Sequence, residues 1–357
     1  MIIWLSIFLA CQEESIQSHD THILQEEACI NTFSPVERPN IRITDYGQQL
    51  PSRESYLPKF LSETGLYRDI QSKEIHPAML FFAPQFSLWS DDTQKKRWAY
   101  IPECETIDTR DMNDWQFPVG TRFFKEFSVN GIRVETRIIE RIDTGPRDFA
   151  FASYLWNEDE SEAERVDENG RKQAKNTDHD IPSRMECMQC HGSYPTGGGR
   201  PSRGLGFSAM QLSHDGEGLT LTDLISQDRL SHPPAEVNTI PGDSKTRAAL
   251  GYLHANCGNC HNQSKDGLPQ FDMNLWLDVG LSSPQESGAW QTTVGKSNQI
   301  FHDQHVDGRV VAGDPTRSAL IYRMHQRGNN GQMPPIASKS IDQEGLQIIS
   351  AWIESLP

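Results

Sequence analysis

Two short stretches, CMQCH at 187–191 and CGNCH at 257–261, set two cysteines and a histidine at the same spacing. Zinc, dithiol exchange and covalent haem all use a C-x-x-C pair, and each ties the fold to a different bound group or reaction. Four-cysteine zinc sites usually separate their pairs by about 15–20 residues. Here residues 191–256 intervene, and the histidine after each pair has no role in such a site. A thioredoxin-like motif needs a single pair beside a βαβ unit, and neither stretch has that setting. Covalent haem attachment accounts for all three residues in both copies. The thiols add across the vinyl groups as thioethers, and the adjacent imidazole reaches the iron from the same face.

The cofactor expectation is therefore two covalently bound haems c. Cys187, Cys190, Cys257 and Cys260 carry the thioethers, and His191 and His261 are the proximal iron ligands. A c-type haem that only transfers electrons has a sixth ligand, and Met opposite His raises the reduction potential. GQMPPIAS (331–338) offers Met333 ahead of two prolines, which lack backbone donors and stiffen the loop. Met333 is accordingly assigned as the distal ligand of the second haem. For the first haem the candidates are Met210, in LGFSAMQLSHD, and His254, seven residues before His261 on the same helical face, with His214, His179 and Met185 nearby. A five-coordinate first iron stays open as well, and an open position permits peroxide or small-molecule chemistry.

The N-terminus indicates the compartment. MIIWLSIFLA (1–10) is apolar, has the length of a signal-peptide core and is too short to span a bilayer. Phe8-Leu9-Ala10-Cys11 resembles a bacterial lipobox, which makes Cys11 the lipidation site and the protein periplasmic and membrane-anchored by lipid alone. Of the seven cysteines, four belong to the motifs and Cys11 to the lipid, which leaves Cys29 and Cys104 as a candidate disulfide. A formal charge of −16 argues against nucleic acid, whose phosphates it repels. Acidic surface of this kind maintains solubility or steers a basic redox partner.

The 357 residues suggest about two domains at roughly 150 residues each. Residues 11–47 read as a polar, flexible lead-in and 48–242 as a β-rich domain carrying the first motif. Strands are expected over 95–102, 121–129, 132–142 and 149–156, with a hairpin at Asn130-Gly131. Val134, Thr136, Ile138 and Ile142 alternate with Arg133, Glu135, Arg137 and Arg141, the pattern of a half-buried strand with one wet face. Residues 157–180 are highly charged and read as a solvated excursion. GSYPTGGGRPSRGLG (192–206) reads as a flexible loop, or as one folded over a cofactor with Arg200 and Arg203 near its acidic groups.

Residues 243–357 form the remaining domain. Its opening helix takes Ser244 as N-cap candidate and sets Leu250, Leu253 and Cys257 on one face. Its closing helix has a capping-box pattern at Ser340 and Gln343 and an apolar stripe of Leu346, Ile349 and Ile353, and the two helices are predicted to pack together. The chain shows no Gly-rich phosphate loop, no Ser/His/Asp elbow and no H-E-x-x-H.

NCGNCH, GDPTRSALIYRM (313–324), QMPP (332–335) and AWIESL (351–356) make residues 244–357 resemble a class I cytochrome c domain. From about Phe86 the chain also resembles a family of bacterial dihaem c-type cytochromes, many of them lipoproteins. FSLWSDDTQKKRWAYIP, FPVGTRFFKEF, ETRIIERI, YLWN and SRMECMQCH carry that likeness. The resemblance implies two covalent haems and electron transfer, and it names no substrate. The expected fold class is α+β multidomain, a β-rich N-terminal domain followed by an all-α cytochrome c domain. The expected function is electron transfer between extracytoplasmic redox partners. A dihaem peroxidase-like oxidoreductase with an open first haem and a structural zinc module are the competing readings.

Overall fold

The computed structural model describes residues 57–142, 149–191, 204–236, 239–262, 272–298, 305–336 and 338–357. The expected signal peptide (1–10), the expected lipidation site Cys11, the expected lead-in, Cys29, Arg200 and Arg203 lie outside the described residues. Two sheets dominate the described chain. Strands β1 (Tyr67–Asp69) and β2 (Glu74–Ile75) make a two-stranded sheet. Strands β3 (Leu80–Phe81), β4 (Gln94–Tyr100), β5 (Arg122–Val129), β6 (Ile132–Arg141), β7 (Phe149–Trp156) and β8 (Ala163–Arg165) form a six-stranded antiparallel meander in chain order. Asn130 and Gly131 close the β5–β6 hairpin with φ of 51° and 82°. Two successive left-handed residues give a turn whose twist matches that of the strands it joins.

Both faces of the large sheet are covered. On one, Trp98, Phe124, Ile138, Tyr154 and Trp156 pack with Leu61, Leu66 and Tyr67. Each such side chain contributes roughly 1.5–3 kcal/mol by leaving water. On the other, Phe123 and Phe149 meet Phe82, Phe117, Phe207, Leu212 and Leu224. The wet face expected of β6 is only partly present: Glu135 is 0 % and Arg141 6 % exposed, while Arg133 and Arg137 are half-buried. Alternation separates polar from apolar side chains. It does not distinguish water from an interior lined with polar partners.

Seven helices, most of them short, complete the described fold: α1 (Arg184–His191), α2 (Ala209–Leu212), α3 (Leu221–Ser226), α4 (Ser244–Asn256), α5 (Gly288–Thr293), α6 (Ala319–His325) and α7 (Gln343–Ser355). The expectation of an all-α cytochrome c domain over 243–357 is overturned. Helices occupy a minority of that stretch. Between them run turns, 3-10 segments at Pro284–Glu286 and Pro315–Arg317, and parallel bridges joining Val294 to Val310 and Gly308 to Ser318. Glycine, proline, asparagine and aspartate interrupt these connections, so buried backbone groups find bridge and turn partners rather than a helical ladder.

Helices α4 and α7 do pack together, around Leu250, Leu253, Ile349, Trp352 and Ile353. Their caps differ from expectation by a residue or two. Asp243, not Ser244, accepts the Thr246 amide at 2.8 Å. Asp342 caps α7 through Gly345 N–H at 2.8 Å and also accepts the Tyr252 hydroxyl at 2.9 Å, which ties the two helices. Ser340 instead donates to Asp91. Among the described residues no helix is long and apolar enough to cross a membrane.

The two halves are joined by residues 86–91. The Phe86 ring lies where a Cβ on Gly251 would stand, so only glycine at that turn of α4 admits it. Trp89 N–H donates to Asn256 Oδ1 at 2.7 Å, and Asn256 Nδ2 returns a bond to Ser87 O at 3.2 Å. Across the molecule, Lys339 Nζ reaches Asp180 Oδ1 at 2.7 Å.

Candidate functional site

Each CxxCH stretch ends a helix, but the two are held differently. CMQCH forms the last turns of α1, which starts in a capping box: Ser183 N–H donates to Glu186 at 2.8 Å, and Glu186 N–H to the Ser183 hydroxyl at 3.3 Å. The helix lies over β7, with the His191 ring 5.2 Å from that of Phe151. In CGNCH, Cys257 is the C-cap of α4, and His261 N–H donates back to Cys257 O at 2.9 Å. His261 O then accepts from Leu275 N–H at 2.8 Å, so the turn is fixed against the 274–277 segment. Gly258 makes this possible. A Cβ there would stand 2.8 Å from both His254 O and Leu275 O, backbone atoms that could give way only at a cost.

Both motifs open into one cavity of about 1150 Å³, between the sheet and the C-terminal half. Its wall includes Cys187, Cys190, His191, Cys257, Cys260, His261 and Met333. The four thiols are free, and Cys190 and Cys260, one from each motif, are hydrogen-bonded to each other. The contact between the two thiols raises the pKa of Cys190 and lowers that of Cys260. Burial pushes Cys187 up to about 11 and Cys257 up to about 12. Exchange-active thiols are shifted the other way, so neither first cysteine has the character of a dithiol nucleophile. Nor do the motifs assemble a zinc centre: among the described residues no three His, Cys, Asp or Glu side chains converge to hold a metal ion.

His261 is 9 % exposed. Burial, with Arg323 and Arg309 nearby, lowers its pKa to about 4, so the ring is neutral at physiological pH, the form that ligates metals. Met333 N–H donates to Arg323 O at 3.1 Å, and Arg323 Nε to Gly331 O at 3.0 Å, which anchor the QMPP loop to α6.

The candidates for the sixth position at the first motif fall in different places. Met210 is 3 % exposed, packs in the core with Leu250 and Leu253, and is not part of the cavity wall. His254 is in the wall, but its Nδ1 accepts Leu277 N–H at 3.1 Å. The proton of the neutral ring therefore sits on Nε2, which occupies that lone pair. His179, also in the wall, holds Glu135 at 2.7 Å. His214 bonds Ala83 O at 2.8 Å, and Met185 is 47 % exposed; neither lines the cavity. Cys104 is disulfide-bonded.

Sequence reasoning missed much of the wall. Met273, Met324, Tyr252 and Trp276 face the same space, as do Arg97, Lys125 and Arg137 from the sheet. Only contacts between residues far apart in sequence bring them there, and no local pattern marks them.

A haem fits these residues. The cavity exceeds the roughly 300–1,000 Å³ typical of a single small-molecule site, and its walls are mainly aromatic and aliphatic. Basic side chains outnumber acidic ones in the wall, although the whole chain carries −16. Trp89 contributes a buried indole N–H with no partner among the described residues, a donor available to a polar ligand edge. Comparisons of the chain with protein-family models, curated proteins and solved structures find no match.

Proposed function

We propose that this chain is a dihaem c-type cytochrome that passes electrons between extracytoplasmic redox partners. Cys187 and Cys190 hold one haem with His191 as proximal ligand, and Cys257 and Cys260 hold the other with His261. Each haem, once bound, supplies reversible one-electron storage at its iron. The observation that carries the reading is the convergence of both CxxCH stretches on one cavity, with Cys190 and Cys260 in contact. Two attachment points that adjoin give an electron a short path between the groups they hold.

The protein side chains orient and shield. The bonds between His261 and Cys257 and between Leu275 and His261 fix the second proximal imidazole, and Met333 is presented by a loop anchored on Arg323. Leu275, Trp276 and Met324 exclude water from that side. The resemblance from Phe86 onward supports a place among bacterial dihaem cytochromes. The N-terminal sequence supports export and lipid attachment at Cys11, and the acidic surface suits a basic redox protein as partner.

A second reading is a haem oxidoreductase whose first iron has an open position. It is favoured by the burial of Met210 outside the cavity and by the engaged Nδ1 of His254. One experiment tests both. The full chain is expressed with the c-type maturation machinery, and its intact mass and its oxidised and reduced visible spectra are recorded, then carbon monoxide is added. Two haem masses and two spectra indifferent to carbon monoxide match the electron carrier. Carbon monoxide bound at one haem moves the oxidoreductase to first place. A mass equal to the bare polypeptide refutes both.

A further inference from the structure

The register of the large sheet creates a row that neither reading explains. Arg97 on β4 stands opposite Lys125 on β5, Lys125 opposite Arg137 on β6, and Arg137 opposite Ser153 on β7. Residues directly opposite in a sheet point to the same face, so three cations lie side by side, and all four residues line the cavity. Like charges directly opposite destabilise a sheet, and buried charges persist only when they are paired.

Glu135, the carboxylate whose charge acts on Lys125, and other acidic groups of the cavity wall are already engaged. Glu135, on the same face of β6, gives both oxygens to Arg137, at 2.7 and 2.8 Å, and one of them also to His179. Asp180 is held by Lys339 and, at 3.3 Å, by Lys172. Glu186 caps α1. Among the described residues the side chains of Arg97 and Lys125 make no hydrogen bond or ion pair. Lys125 has only the Phe127 ring, with its nitrogen 4.9 Å from the centroid. The consequence shows in its acidity: burial, then repulsion from Arg97, Arg137 and Lys95, pushes Lys125 well below the usual lysine value.

We propose that Arg97, Lys125 and Arg137, with Ser153 at the end of the row, form an anion site in the cavity floor that takes a carboxylate or oxoanion group. Two sources present this chemistry: a propionate of a haem bound in the cavity, or a free anion that enters it. The site stands on the sheet and the cavity alone, so it does not depend on the haem reading.

The test is calorimetric titration of inorganic sulfate into the purified full chain, wild type, Lys125→Met and Lys125→Arg, with the haem midpoint potentials measured on the same samples. Saturable sulfate binding that weakens on the order of tenfold or more in Lys125→Met and returns in Lys125→Arg identifies a free-anion site. Absence of sulfate binding, together with a potential whose pH dependence changes in Lys125→Met and recovers in Lys125→Arg, identifies a propionate as the occupant. Sulfate binding unaffected by Lys125→Met, or no binding and no shift of potential, overturns the proposal. Protein recovered without haem still answers through the sulfate arm, so a failure of the haem reading is read separately, from the mass.

Discussion

CMQCH and CGNCH share a spacing but not a setting. The second motif is held on several sides: it closes a thirteen-residue helix, turns through a glycine whose Cβ position lies 2.8 Å from two backbone carbonyls, and ties a buried histidine to the 274–277 segment. The first ends an eight-residue helix laid on a sheet, and its histidine is only half-buried beside Phe151. In the proposed reading, the local sequence specifies how a haem is attached. The surrounding packing decides how closed its iron is and what chemistry remains available. On this comparison the second motif is the more enclosed of the two, and the proposed alternative of an open iron position falls on the first.

The largest expected effect separates the motifs. Replacing both cysteines of one motif by alanine removes one haem from the intact mass and leaves the other, whichever motif is changed. Loss of both haems from either double variant would show that the sites do not mature independently. Next, Met333→Ala lowers the potential of the second haem by on the order of a tenth of a volt, within the roughly 0.8 V range that axial ligands command, and opens it to carbon monoxide. A carbon monoxide response already present in the wild type belongs to the first haem and survives Cys257→Ala/Cys260→Ala.

Smaller effects sharpen the structural side. Burial by itself raises the Glu135 pKa, but Arg137 and His179 outweigh it and bring the carboxyl from 4.5 to about 2. A carboxyl depressed in the folded state stabilises fully above its unfolded value and loses that contribution as the pH falls. The loss therefore runs between about pH 4.5 and 2. Glu135→Gln costs about 3 kcal/mol at neutral pH, read by denaturant unfolding, and flattens the acid limb of the stability profile. Gly258→Ala presses a methyl onto two carbonyl oxygens and costs roughly 1–3 kcal/mol, without changing the first haem's spectrum.

Much of the local structure was legible. Strand β7 spans the residues its composition predicts, 149–156, and the Asn130-Gly131 hairpin forms where two residues that tolerate left-handed backbone meet. The two long helices follow their apolar stripes. Properties that depend on distant residues were not legible. The polar face of β6 reads as wet until Glu135 and Arg141 are seen buried in the folded chain. Met210 reads as a loop ligand until α2 is seen packed into the α4–α7 core. The all-α expectation extended two good helices across connections that are mostly turns and bridges. The contact between Cys190 and Cys260, like the row Arg97–Lys125–Arg137, arises only from chain crossings and strand register.

The most direct measurement of the central claim, that the two haem attachment points adjoin, is the electron paramagnetic resonance spectrum of the fully oxidised protein, set against the sum of the spectra of the two single-haem variants. The account predicts a departure from that sum, because two ferric irons held from touching cysteines interact magnetically. A spectrum equal to the sum would place the haems apart and contradict it.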